Sequence, residues 1–394
     1  MLRSSSWLLA RFCLPLLAHA VVAQEEQIEN AGAPAQRFTL AAGSHSLREL
    51  VEIVGLARKQ PIDCGDDVWS AGDDSPLTLQ RELRLGAEDW EDVATALLYA
   101  RGLSLTHDAD GKLSVLPNRG VAGVSTGKAT MRAADEVLRR PYRTELARVR
   151  YVSKGDANAL AQAMRPLFAL RDGANVVLRA EDGAVVIEGL TCHTVFVLRA
   201  VLVADGADLA RTPGPTWSTD RACAWPGGSL DVSALLERMA TELDANVLCR
   251  AGTLPGERID TGEAKELAPQ EWLATAARLL RRHGLVVTVI HGPQRVFEVL
   301  ALEDRRTESC LLWRAAVVSP DTAADPALPV QPVVTMLPMS VAEIRAASGK
   351  LRAQMRRDST VTVGSCPRGL FLAGLSDDVG TIVTSLRPEE SGRR

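Results

Sequence analysis

Histidines and cysteines are the residues of this sequence best suited to metal binding or nucleophilic catalysis. The six histidines are His19, His45, His107, His193, His283 and His291. No two are four residues apart, the spacing that sets two imidazoles on one helix face around a metal. Cys192 and His193 are sequence neighbours, so their side chains diverge and they are not expected to form a catalytic pair. His283 precedes Gly284 at a predicted helix end, where an imidazole meets the last carbonyls. Gly123-Val-Ser-Thr-Gly127-Lys128 lacks the glycine spacing of a phosphate loop, and Ala129 replaces the hydroxyl that would hold magnesium. Asp66-Asp67 and Asp73-Asp74 lack the alternating ligands and closing Glu of a calcium loop, and read as a solvated loop. Trp90 and Trp272 each fall on an apolar helix face and read as core. No catalytic, cofactor-binding or metal-ligating residue is assigned.

The elements that would position any site begin with an export signal. Arg3 supplies a positive start, Trp7 to Ala23 is mostly apolar, and Val21-Val22-Ala23 ends in the small residue a signal peptidase needs. Residues 1–23 are therefore expected to be cleaved after Ala23, leaving a periplasmic chain with no membrane span. The cysteines beyond the signal are Cys64, Cys192, Cys223, Cys249, Cys310 and Cys366. An even number in an exported protein permits disulfides but does not choose a pairing. Buried free thiols are the equal alternative. Their wide spacing, without Cys-x-x-Cys, argues against zinc.

Composition is globular, with 46% hydrophobic, 24% charged and only 4% aromatic residues, so the cores must be built from aliphatic side chains. A net charge of −4 without a basic block gives no footprint for nucleic acid. After a polar leader, Leu47, Leu50, Val51, Val54 and Ala57 have helical spacing, with Ser46 and Glu49 placed to form a capping box. Gly65–Pro76 reads as a loop. Ala87–Ala100 reads as a helix stopped by Gly102, followed by a hairpin around Asp110-Gly111. The stretch 118–145 reads as a linker, with a short helix over Ala129–Arg140 as the alternative. Then come a strand at Val149–Val152, a helix capped by Asp156 with Leu160, Met164 and Leu167 inward, strands at Val176–Leu178 and Val185–Ile187, and a closing helix to Ala204. Residues 206–221 and 305–330 read as further linkers.

The chain is similar to itself. An offset of 185 residues places Leu50, Val51, Glu52, Val54 and Cys64 on Leu235, Leu236, Glu237, Met239 and Cys249. An offset of 182 places Trp90, Leu97, Leu98, Gly102 and Leu103 on Trp272, Leu279, Leu280, Gly284 and Leu285. The first offset then returns, with Val149, Val176, Leu178 and Gly189 on Val334, Val361, Val363 and Gly374. Matches at core, cap and turn positions imply a duplicated α+β chain of tandem small modules in the order A-B-A′-B′. Their ranges are 37–117 for A, 146–206 for B, 223–304 for A′ and 331–388 for B′.

This order and pattern resemble the periplasmic N-terminal region of bacterial secretins, the outer-membrane pores of type II and type III secretion and of type IV pilus machines. Module A, with SLRELVEIVGLARKQPIDC and LRLGAEDWEDVATALLYARGLSLTHDADGKLSVLP, looks like the first secretin domain, a fold shared with the short signalling domain of TonB-dependent receptors. Module B, with Val149–Val152, the helix through Leu160 and Met164 and the turn after Val185-Val186-Ile187-Glu188-Gly189, looks like the KH-like ring-building domain. Secretins continue into a C-terminal β-barrel whereas this sequence ends at Arg394, so pore formation by this chain alone is not expected. In B′, Pro338 and the basic helix through Arg345, Arg352, Arg356 and Arg357 depart from the pattern.

The resemblance implies a non-enzymatic exported interaction or assembly protein. Its partners would be copies of itself, in a ring or other homo-oligomer, or a component of a secretion or pilus machine. The alternative is an exported enzyme or ligand-binding protein with a cleft between modules.

Overall fold

The computed structural model describes residues 36–71, 75–107, 112–118, 129–139, 146–168, 176–206, 217, 221–250, 254–304, 311, 314–355, 361–366 and 368–387. The predicted signal lies outside them. In module A, β1 (Arg37–Leu40) and β2 (Gly43–His45) lead into α1 (Leu47–Arg58). Ser46 caps α1 by accepting from Glu49 N at 3.2 Å. The capping box is only half formed, because the Glu49 carboxylate turns to His45 Nδ1 at 2.8 Å. The expected loop 65–76 contains α2 (Asp66–Ala71), held to the core by buried Val68 and Trp69. Next come β3 (Leu77–Leu79), β4 (Leu83–Gly86), α3 (Ala87–Ala100), β5 (Leu103–His107) and β6 (Leu113–Pro117). Strand β1 pairs with β4, β2 with β3 and β5 with β6, all antiparallel, and Asp63 adds a parallel bridge to Ser114.

Module B starts earlier than its hydrophobic pattern suggests. Inside the stretch read as a linker, β7 (Thr130–Arg132) pairs in parallel with β8 (Leu146–Val152), and α4 (Ala134–Arg139) buries Val137 against the same core. A three-residue strand is too short to show a period, which is why the pattern misses it. Then follow α5 (Ala157–Phe168), β9 (Val177–Glu181), β10 (Ala184–Leu190) and α6 (Thr191–Ala204). Asp156 Oδ1 caps α5, accepting from Asn158 N at 2.8 Å and Ala159 N at 3.1 Å. The β9–β10 turn places Asp182 and Gly183 at φ of 47° and 72°, the left-handed pair that a tight hairpin requires. The sheet order is β7-β8-β10-β9.

Module A′ comprises β11 (Cys223–Trp225), β12 (Ser229–Asp231), α7 (Val232–Glu242), β13 (Asn246–Cys249), β14 (Arg258–Asp260), β15 (Lys265–Leu267), α8 (Pro269–Arg282), β16 (Leu285–His291) and β17 (Val296–Ala301). Its pairings repeat those of A. Strand β11 pairs with β15, β12 with β14, and β17 lies between antiparallel β16 and parallel β13. Gly102 and Gly284 follow the two equivalent helices α3 and α8 at φ of 81° and 73°. Only glycine takes that conformation without strain, so each ends its helix.

Module B′ again recruits residues read as a linker. It runs β18 (Ala316–Val317), α9 (Pro320–Ala323), β19 (Pro332–Pro338), α10 (Val341–Gln354), β20 (Thr362–Cys366), β21 (Gly369–Leu375) and α11 (Ser376–Leu386). The sheet order β18-β19-β21-β20, with β18 parallel to β19, matches module B strand for strand. Pro338 closes β19 opposite Gly369, and Ser340 and Glu343 form a complete capping box on α10. The duplicated α+β architecture is thus present in both halves.

Strand register sharpens the offset. Ala147 pairs with Gly189 and Val333 with Gly374, so β8 and β19 are related by 186 residues while β10 and β21 are related by 185. Val149 therefore corresponds to Thr335 rather than to Val334. The difference matters because a one-residue slip exchanges the two faces of a strand. Among the described residues, no helix is long and apolar enough to cross a membrane.

Candidate interaction interfaces

The residues first considered for chemistry are dispersed. His45 lies 2.8 Å from Glu49 through Nδ1 and donates from Nε2 to the Ala41 carbonyl at 2.8 Å, so the carboxylate four residues on serves a local hydrogen bond. His283 lies 3.3 Å from Glu257 and caps α8. His291 lies 3.4 Å from Asp89, joining the two A-type modules. His107 ends β5, and Asp66 and Asp67 open α2. Among the described residues no three His, Cys, Asp or Glu gather as a metal cluster. Cys64, Cys223, Cys249 and Cys366 are free thiols, and burial raises the pKa of each. Gly123–Lys128 lies outside the described residues, as do Asp73, Asp74 and Cys310. Gly123-Val-Ser-Thr-Gly127 also spells Gly-x-Ser-x-Gly, and Ser125 to Lys128 spells Ser-x-x-Lys. The next described element is strand β7, however, whereas a nucleophile elbow leads into a helix.

What the chain does build is contact between modules. Strand β3 of A lies against β13 of A′: Leu77 bridges Arg250, and Gln80 Oε1 accepts from Val247 N at 3.0 Å. Asn246 Oδ1 accepts from Arg81 N at 3.1 Å. Helix α3 then crosses the A′ sheet, and Leu248, Ile290 and Val296 join the apolar cluster of module A. At the centre, Glu298 of β17 accepts from Arg101 at 3.0 Å and pairs with Arg314 at 2.7 Å, with all three side chains only 2–3% exposed. Arg314 also donates to Thr288 Oγ1 at 2.6 Å and to the Ala96 carbonyl at 3.0 Å. This triad ties A, A′ and the segment leading into B′ together.

The B-type modules meet face to face. Helix α5 runs along the edge of β20 and α6 lies over β19 and β21. Val334, Met336, Cys366, Phe371 and Ala373 on one face of the B′ sheet join the cluster built by α5, α6 and the B sheet. The opposite face, with Val333, Leu337, Leu370 and Leu372, packs on α10 and α11. The B′ sheet is therefore buried on both sides, which accounts for the unbroken apolar run of β21. Arg368 binds the Asp205 carbonyl, and the Asp205 carboxylate accepts from Tyr151 at 2.7 Å, Ser153 at 3.0 Å and Lys154 N at 2.7 Å. Burial, then Asp205 beside it, pushes the Tyr151 phenol well above its ordinary range.

Modules A and B meet through Tyr99 and His193. The phenol lies 3.1 Å from His193 Nε2, and the rings stack edge to face at 5.4 Å. Burial lowers the His193 pKa from 6.5 to about 3, so the ring is neutral when folded. An imidazole with a depressed folded pKa adds stability that is fully present above its unfolded pKa and lost as pH falls toward the folded one. Stability should therefore drop by about 2 kcal/mol between pH 7.5 and pH 5, read as the urea midpoint. His193→Gln should remove that slope, and a slope left unchanged would refute this role.

No family model matches the chain, and no curated protein matches it. Solved structures similar to it include the N-terminal domain of the secretin XcpQ from Pseudomonas aeruginosa, in a dimeric cysteine mutant. That alignment has 11% identity and a TM-score of 0.18, and covers 72% of this chain and 99% of that one. The type II secretion GspC–GspD complex of enterotoxigenic Escherichia coli aligns at 15% identity and a TM-score of 0.18, over 42% of this chain and 97% of that one. The Klebsiella pneumoniae type II secretion outer-membrane complex of PulD, PulS and the PulC HR domain aligns at 12% identity and a TM-score of 0.31, over 85% of this chain and 65% of that one. The solved structures that this chain is similar to thus include secretin N-terminal domains.

Proposed function

We propose that the chain is a non-enzymatic, exported interaction protein whose partner is a protein of an envelope secretion or pilus machine. The observation that carries this reading is the double A-B order, whose modules resemble secretin N-terminal domains and dock on one another. Burial of Glu298, Phe371 and His193 in contacts between modules holds the four as one scaffold. Scaffolds of small sheets and helices bind other proteins through strand edges and helix faces. The signal read at residues 1–23 supports a periplasmic site of action.

The test is affinity purification of the tagged full-length chain from cross-linked envelopes of its own host. The reading expects a secretin or another component of a secretion or pilus machine among the retained proteins. Retention of none, with the chain confirmed as exported and folded, would overturn it.

A further inference from the structure

A ring or other homo-oligomer of this chain requires surfaces that a second copy can cover. The two halves show which surfaces those would be, because each sheet face in B′ has a counterpart in B. With Ala147–Gly189 equivalent to Val333–Gly374, Arg148, Arg150 and Glu188 of B fall on Val334, Met336 and Ala373 of B′. Arg179 and Glu181 fall on Gly364 and Cys366. In B′ this face is apolar and covered by α5 and α6. In B the same face is a closed ionic lattice: Arg148 pairs with Glu181 at 2.9 Å and Glu188 at 4.0 Å, and Arg179 pairs with Glu181 and, at 3.5 Å, with Glu188.

The helices differ in the complementary sense. Taking Leu190 and Leu375 as equivalent N-caps, buried Phe196 and Arg199 of α6 correspond to exposed Thr381 and Thr384 of α11. Helix α6, wedged between two sheets, has no polar side; α11 has one. In the A-type pair, with Trp90 on Trp272, buried Ala96 of α3 corresponds to exposed Arg278 of α8. At the compared positions the buried members are Phe196, Arg199 and Ala96 and the free counterparts are Thr381, Thr384 and Arg278, while the free B face also exposes Met131, Val152 and Val177 beside the lattice. Helix α10 adds Arg345, Lys350 and Arg352, all exposed, opposite a B face that already carries three arginines.

We propose that the duplication is a terminated stack: the module-on-module contact that would join successive copies is made once, inside the chain. Its two outward ends are caps that exclude a further copy. Repeat arrays require such polar terminal units, and a head-to-tail contact without them grows into rings or filaments. Burying the lattice under a second copy would desolvate four charges that are already paired with one another. This inference rests on the comparison of the two halves and is independent of which protein the chain binds.

Sedimentation velocity of the full chain, from low micromolar to near-millimolar, tests it. The wild type is expected to stay monomeric throughout. A variant carrying Arg148→Val, Arg150→Met and Glu188→Ala on one end and Thr381→Phe on the other should at least double its weight-average mass over the same range. Concentration-dependent association of the wild type would overturn the proposal. A variant that remains monomeric while keeping the wild-type circular dichroism would overturn it too. Should the variant fail to fold, the wild-type series still decides.

Discussion

Replacing Glu298 with alanine should destabilise the chain by about 3–5 kcal/mol, the largest effect expected of any single charged residue among the described residues. The carboxylate stands on the central strand of the A′ sheet between two guanidinium groups, Arg101 at 3.0 Å and Arg314 at 2.7 Å. Removing it leaves two cations in a region that water does not reach, and an unpaired buried charge is worth far more than an exposed pair. The urea midpoint should fall accordingly. Amide exchange should quicken first at Arg81 and Val247, whose N–H groups donate across the β3–β13 contact. A triple replacement with Arg101→Met, Glu298→Leu and Arg314→Met separates the cost of orphaned charge from the cost of lost attraction. Because burying ions is itself expensive, that variant should lie within about 1 kcal/mol of the wild type or above it. An alanine variant with an unchanged midpoint would sink the account.

Nothing in the sequence marks these three residues as partners. Arg101 sits beside a helix-stopping glycine, Arg314 in a stretch that reads as a linker, and Glu298 in the strand VFEVLA. The only local hint is that last run, where one carboxylate interrupts an otherwise apolar strand. Contacts between distant segments depend on how modules dock, and periodicity reports only the element in which a residue lies. The individual helices were legible for that reason: α1 carries an apolar stripe behind a capping serine, and α3 and α8 each carry one that ends at a glycine. Helix α6 was legible in a further way that only the structure interprets. TCHTVFVLRAVLVA has no polar face, the mark of a helix covered on both sides, and the second side proves to be the B′ sheet.

Short elements were not legible. Strands β7 and β18 are two or three residues long and are held by parallel pairing to a neighbour far along the chain. The duplication was visible because core, cap and turn positions keep their residue types. The asymmetry between its copies was hidden by a single residue of offset. Aligning Val149 with Val334 equates an inward position with one facing the other module. Aligning Arg148 with Val334, as the strand pairing requires, shows a charge exchanged for an apolar contact. The same substitution pattern recurs at Glu188 and Ala373, whereas Val186 and Phe371 are apolar in both copies and exposed Val177 falls on Thr362.

The paired tryptophans test whether the copies are equivalent in energy as well as in outline. Trp272 is fully buried, packs edge to face on Trp225 at 5.0 Å, and donates its indole N–H to the Ala224 carbonyl at 3.2 Å. Trp90 is equally buried and donates to the Phe38 carbonyl at 2.9 Å. Each ring therefore joins the long helix of its module to the first strand. Alanine at either position opens a cavity too large to close and should cost about 3–5 kcal/mol. Phenylalanine keeps much of the volume but leaves a strand carbonyl without its donor, and should cost about 1–3 kcal/mol. The Trp90 cavity would also reach the docked surface of A′, since Leu248, Ile290 and Val296 belong to the same apolar cluster. Trp90→Ala should therefore loosen the β3–β13 contact in amide exchange, whereas Trp272→Ala should first expose β11 and β15. If both variants opened the same amides, the two modules would be unfolding as one core, and the separate structural role argued for each tryptophan would be wrong.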